Sequence, residues 1–243
     1  MSKNFIDDVE HPEIKNFAED KNAKKILNVG ISVCVTIKNR TFFEYEGKKY
    51  WPFKNFIKSL VRLNRHRYTV ELIITDFNST DIPLESWIYD EIKFIDLKII
   101  KMGDTCFSRG RGLNRAVKEA KYDYLFVTDA DMLLCEKVVQ RGIFHLKRNR
   151  MYFPIALKHV NSDLKVTRWF QTGTGNMMVT KVMFNKVGGY PEYTTWGKED
   201  KKFYDKAIHI NKYQISRERI KEFYHQFHPT DLAWKNRFAE NKG

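Results

Sequence analysis

The chain has 243 residues, 42% of them hydrophobic, which is enough for one large domain with a real core. Three cysteines at no metal-ligand spacing argue against a disulfide or zinc framework, and no run approaches the roughly 20 apolar residues of a membrane span. The formal charge of +13 favours polyanions, phosphorylated substrates or anionic surfaces as partners; much of it is scattered lysine, and no RNP, zinc-finger or basic-zipper pattern accompanies it.

Residues 1–27 are polar and charged, and read as an arm, neither signal peptide nor anchor. From residue 28 strand and helix patterns alternate, which predicts an α/β sheet. Val29–Ile37 reads as a strand, and Phe53, Phe56, Ile57, Leu60 and Val61 recur at helical spacing. Val70–Thr75 is a second strand, ended by the turn-rich run 76–81, and a helix is predicted over 84–93 behind Pro83. Leu97–Ile100, a helix over 109–121 and the strand Tyr124–Thr128 complete a first half, 28–132, of nucleotide-binding style. Arg40, Asp76 and Asp129 fall just past strand ends, where open α/β sheets bind ligands. The second half, 133–243, predicts a helix over 136–148, a strand over Met151–Ala156 and another over Asn176–Thr180. A short helix stopping at Gly188-Gly189, a helix from Glu199 and a late strand over Glu222–Gln226 follow.

Four groups of residues have side chains suited to chemistry. Asp129-Ala130-Asp131 puts two carboxylates at the end of an apolar strand, oxygen ligands of the type Mg²⁺ and Mn²⁺ prefer beside phosphates; a plain polar turn has the same look. His225 and His228, three apart beside a strand, are imidazoles that suit Mn²⁺. Glu199 and Asp200 open a helix, where ionised carboxylates are favoured, so a base there would take its proton late. Trp196, just before them, is suited either to stack on a sugar ring or to pack in the core. Arg109 and Arg111 begin the helix after Phe107-Ser108, an arrangement that diphosphate favours and that a basic helix surface also produces. The Gly110/Gly112 pair matches neither dinucleotide nor phosphate-loop spacing.

Taken in order, these segments resemble the GT-A fold inverting glycosyltransferases, nearest to the β1,4-galactosyltransferase and chondroitin-polymerase-like group, over about residues 28–230. Val35 to Arg40 is similar to the first-strand segment that meets uridine and phosphates, which implies roles for Thr36, Ile37, Lys38 and Arg40. Asp76 resembles the uracil-binding acid, and Phe107 to Asn114 the F-x-R-x-x-x-L-N helix start. The resemblance implies Asp129 on the ribose, Asp131 on the metal with His225 and His228, Asp200 as base and Glu199 orienting the acceptor. It also implies a GT-A single domain with a Rossmann-like mixed sheet flanked by helices. The expected reaction moves a sugar from a UDP-sugar to a hydroxyl of a glycan or lipid-linked glycan with Mn²⁺ or Mg²⁺, in polysaccharide biosynthesis. Phe77 and Asn78 stand where many relatives have an acid and a glycine, and Lys201-Lys202 replaces an acidic run. A cytoplasmic protein with a peripheral contact to anionic membrane and no nucleic acid partner is expected. A polyanion-binding protein and a GT-A domain that binds without turnover are the alternatives.

Overall fold

The computed structural model describes residues 8–9, 29–64, 68–92, 95–103, 106–195 and 197–229. The arm expected over 1–27, apart from Asp8 and Val9, and Trp196 lie outside the described residues. Among the described residues, thirteen strands and six α-helices follow that arm.

The apolar run Val29–Ile37 is β1, buried throughout from Ile31 onward. A hairpin, β2 (Phe43–Tyr45) and β3 (Lys48–Tyr50), leads to α1 (Pro52–Asn64). Pro52 sits at the first helical position, where its missing N–H costs nothing. Phe53, Phe56, Ile57 and Leu60 lie on one helical stripe and are fully buried. β4 (Tyr68–Asp76), β5 (Asp96–Lys101), α3 (Arg109–Glu119) and β6 (Tyr124–Val127) complete the first half, with the one-turn α2 (Ile88–Glu91) between β4 and β5. The helix predicted over 84–93 is broken: a 3-10 turn, Leu84–Ser86, precedes α2, and Trp87 between them has φ −145°. Trp87 is buried edge-on against Phe53, so tertiary packing overrides the local helical preference.

The second half comprises β7 (Met132–Leu133), α4 (Glu136–Leu146), β8 (Arg150–Tyr152), β9 (Ile155–His159), β10 (Thr167–Trp169), β11 (Met177–Thr180), α5 (Lys181–Val187), α6 (Glu199–Asp205), β12 (Gln214–Ser216) and β13 (Arg219–His225). The single strand predicted over Met151–Ala156 is two strands in two sheets, parted at Phe153-Pro154. Proline cannot donate to a ladder, and the chain changes sheets there. Helix α5 ends on Gly188 at φ 83°, as its sequence predicts, and is capped at its start by the Thr180 side chain.

The main sheet has seven strands in the order β12-β8-β11-β6-β1-β4-β5. β6, β1, β4 and β5 run parallel, whereas β11 is antiparallel to both β6 and β8. The second sheet has four strands in the order β10-β9-β13-β7. One continuous apolar cluster joins both halves, from Ile31 to Phe223. Helix α3 lies unusually close to β1 and β4: a Cβ on Gly112 would strike the hydroxyls of Thr36 and Thr75, and one on Gly110 the Pro191 carbonyl. The glycine pair thus permits close packing of helix, sheet and loop.

Candidate active site

The segments that leave the carboxyl ends of β1 and β6 wall a cleft of about 810 Å³ together with loops of the second half. After β1 the chain turns at Asn39 (φ 51°), and its side chain accepts from the Thr80 amide at 2.7 Å. The Asp81 carboxylate accepts from the amides of Thr41 and Phe42 at 2.7 and 3.0 Å. These bonds fix the loop that carries Arg40, whose Nη2 lies 3.8 Å from Asp131 Oδ2.

Asp131, His225 and His228 come together because β7 and β13 pair antiparallel. His225 stands opposite Met132, and the Gln226 amide donates to the Asp131 carbonyl at 2.9 Å. His225 Nε2 is 3.9 Å and His228 Nε2 3.7 Å from the Asp131 carboxylate, and ligand atoms of all three lie within 4.8 Å of one another. His225 Nδ1 donates to the Gln226 carbonyl at 2.9 Å, which fixes the tautomer and leaves the Nε2 lone pair facing Asp131. Burial, with the charge of Arg40, pushes the His228 pKa well below its ordinary value, so its ring is neutral and able to act as a ligand. One carboxylate and two imidazoles fit a borderline divalent cation such as Mn²⁺.

Asp129 belongs to a second network. Arg109 Nε donates to its Oδ1 at 2.8 Å, Arg109 Nη2 donates to the Gly175 carbonyl at 2.7 Å, and Nη1 lies 3.5 Å from Glu199 Oε1. Asn176 accepts from the Asp129 amide at 3.1 Å and from Thr128 Oγ1 at 2.7 Å. Burial pushes Glu199 upward against the opposing pull of Arg109. The next residue, Asp200, accepts from Thr174 Oγ1 at 2.8 Å and lines the same cleft. Helix α6 starts after Gly197 and Lys198, both at positive φ, a sharp entry that turns its first two acids toward the cleft.

Thr36, Arg40, Arg109, Asp129, Ala130 and Asp131 line the cleft, as do Glu199, Asp200, His225 and His228. Ile37, Lys38, Asp76, Arg111 and Asn114 lie outside its lining. Ile37 and Lys38 are buried at the end of β1 and just past it. Asp76 is buried, accepting from Lys101 Nζ at 2.9 Å and from the Ser79 amide at 3.0 Å. Arg111 donates to the Cys106 carbonyl at 2.9 Å and lies over the Phe77 ring. Asn114 pins the 189–192 loop by donating to the Tyr190 carbonyl and accepting from its amide, each at 2.9 Å.

Several cleft residues had no signal in the sequence. Lys158 stands beside His225 because β9 pairs with β13, and burial lowers its pKa. Thr174, Gly175 and Asn176 come from one irregular loop, and Arg217 from the link between β12 and β13. Each is a lone polar or small residue at no recognisable spacing; only strand pairing brings it to the cleft.

A family model described as the N-terminal domain of galactosyltransferase matches residues 154–229, a stretch holding Glu199, Asp200, His225 and His228. No curated protein matches the sequence. The structure is similar to S. aureus TarS 1–349, with TM-score 0.61 at 16% identity over 82% of this chain and 60% of that one. The TarS 1–349 complex with UDP gives TM-score 0.62 at 16% identity over 84% and 62%, and the complex with UDP-GlcNAc gives 0.61 at 15% over 83% and 59%. The chain spans about three fifths of the length of these structures. No helix among the described residues is long and apolar enough to cross a membrane. The mixed sheet flanked by helices, matched over four fifths of the chain, is a fold of the GT-A type.

Proposed function

We propose that the chain is an inverting, metal-dependent glycosyltransferase that moves a hexose or N-acetylhexosamine from a UDP-sugar to a hydroxyl of a glycan or glycolipid. The observation that carries this reading is the sharing of one cleft by the Asp131–His225–His228 cluster and the Asp200 carboxylate. The TarS complexes with UDP and UDP-GlcNAc support a nucleotide-sugar donor on this fold.

A divalent cation on Asp131, His225 and His228 would supply positive charge to the departing diphosphate. The chain's own residues do the rest. Arg40 adds fixed positive charge on the same side of the cleft. Asp129, braced by Arg109, offers a carboxylate to the ribose hydroxyls of the donor. Thr174 donates to one oxygen of Asp200 and orients it; the other oxygen takes the proton of the acceptor hydroxyl. The acceptor oxygen bonds to the anomeric carbon as the bond to the diphosphate breaks on the opposite face, which inverts the configuration and releases UDP. Positioning and preorganised charge supply most of the rate.

The test is a panel of UDP-sugars assayed for Mn²⁺-dependent UDP release, with Asp200→Asn beside the wild type. Transfer by Asp200→Asn should fall by about 10²–10⁴-fold, the contribution of a general base, with UDP binding kept. Full-rate transfer by this variant would remove Asp200 as the base, and no turnover of any UDP-sugar would sink the reading.

A further inference from the structure

Arg217 is a cation in the cleft that no acidic side chain among the described residues claims. Its Nη2 donates to the Gly173 carbonyl at 2.7 Å, and its guanidinium lies 5.9 Å from the centre of the Tyr204 ring. Its Nε is buried and meets no hydrogen-bond partner. Among the described residues no carboxylate comes within 4.0 Å of it, although several acids stand in or next to the cleft. Each of those acids is held elsewhere: Asp129 and Glu199 by Arg109, Asp205 by Lys201, Glu218 by Arg141 and His145, and Asp200 by Thr174. A guanidinium that lines the cleft with no counter-ion among the described residues is set up to receive an oxyanion from outside the protein.

Its position says which molecule brings that oxyanion. Gly173 holds Arg217 and the next residue, Thr174, holds Asp200. The two groups are therefore fixed by neighbouring residues whose Cα atoms are about 3.8 Å apart. In the transferase reading the donor diphosphate belongs with the Asp131 cluster, just before β7 and at the far end of β13. An anion on Arg217 instead accompanies the hydroxyl presented to Asp200, on the same unit of the acceptor or the one beside it.

We propose that the acceptor is anionic, and that Arg217 binds a phosphate or carboxylate group on it next to the reacting hydroxyl. This rests on the transferase reading above and names its acceptor class. The basic surface of the chain, +13 overall, favours the approach of such an acceptor.

The experiment offers the wild-type protein matched glycans and polyols in neutral, carboxylate-bearing and phosphate-bearing forms, with Mn²⁺ and whichever UDP-sugar gives turnover. Anionic forms should be used with kcat/KM about 10-fold or more above their neutral counterparts, as one charge-assisted contact implies. The carboxylate and phosphate arms separate the two sources of charge. In Arg217→Gln the anionic-to-neutral ratio should fall toward one, through KM, while Arg217→Lys keeps most of it. The wild-type ratio decides the matter even if a variant fails to fold. Equal use of neutral and anionic forms, no use of any anionic form, or a ratio that survives Arg217→Gln would overturn the proposal. If the wild type also fails to release UDP from any UDP-sugar in water, the transferase reading itself has failed.

Discussion

Arg109 is the residue that ties the two walls of the cleft together. It reaches Asp129 after β6 and Glu199 at the start of α6, and its third contact is a backbone carbonyl, that of Gly175. Burial alone would lower its pKa, but the carboxylates around it outweigh burial and hold it charged. Removing one member of a buried ionic cluster leaves the others desolvated and unbalanced, which costs far more than the intact cluster contributes. Arg109→Met should therefore lose about 3 kcal/mol of stability in a urea titration, below the full buried-pair figure because Asp129 is partly exposed. A loss under about 0.5 kcal/mol, the level of an ordinary surface substitution, would mean that the cluster does not brace the cleft. In the sequence Arg109 is readable as a phosphate-type cation at a helix start, and its two acids, Asp129 and Glu199, are readable as carboxylates at a strand end and a helix start. What is not readable is their partnership. The bonded groups lie 20 and 90 residues apart, and nothing local encodes which acid an arginine will meet.

At the scale of elements, the link between β12 and β13 is where the chain passes from the main sheet to the second one. The Phe153 amide donates to Ser216 and the Ile155 amide to Glu218, so the neighbouring crossing at Pro154 is held there too. Helix α4 is clamped onto this junction through Glu218, which accepts from Arg141 at 2.7 and 2.5 Å and meets His145 Nε2 at 2.8 Å. Arg141 foremost, and then His145, hold the Glu218 carboxyl down at about 2. A carboxyl depressed in the folded state contributes stability above its unfolded value, roughly 4.3, and that contribution is lost as pH falls toward 2. Melting followed by circular dichroism should show Glu218→Gln less stable than the wild type at pH 7. The gap should narrow as pH falls below about 4.5. A gap that stays constant down to pH 3 would show that the clamp is not ionic. The junction also marks the limit of pattern reading. Long elements such as β1, α1, β4 and α3 are legible because the strands are nearly continuous apolar runs, one face of each helix is apolar, and the ends are capped or broken by turn residues. The split of residues 151–156 between two sheets and the break at Trp87 arise from packing partners that periodicity does not contain.

The whole molecule decides whether its functional groups ever meet. Asp131 and the two histidines are separated by most of the second half, yet the pairing of β7 with β13 sets His225 beside the residue after Asp131. The residue types and their order along the chain are open to reading; the register that makes a cluster of them belongs to the folded sheet. A cation held by Asp131, His225 and His228 would tie together the residue before β7, the end of β13 and the segment beyond it, so it would stabilise only the folded chain. At 100 times its Kd, Mn²⁺ should add about 2.7 kcal/mol, a rise in Tm of about 5–10 °C for a domain of this size. The shift should vanish with a chelator and in Asp131→Asn, and persist in a variant of the exposed His209, which lies outside the cluster. This readout needs neither donor nor acceptor, so it separates the metal site from the chemistry built around it. An equal rise in Asp131→Asn would move the cation away from these three residues, and the diphosphate would then have to leave toward positive charge supplied by Arg40 and Lys158.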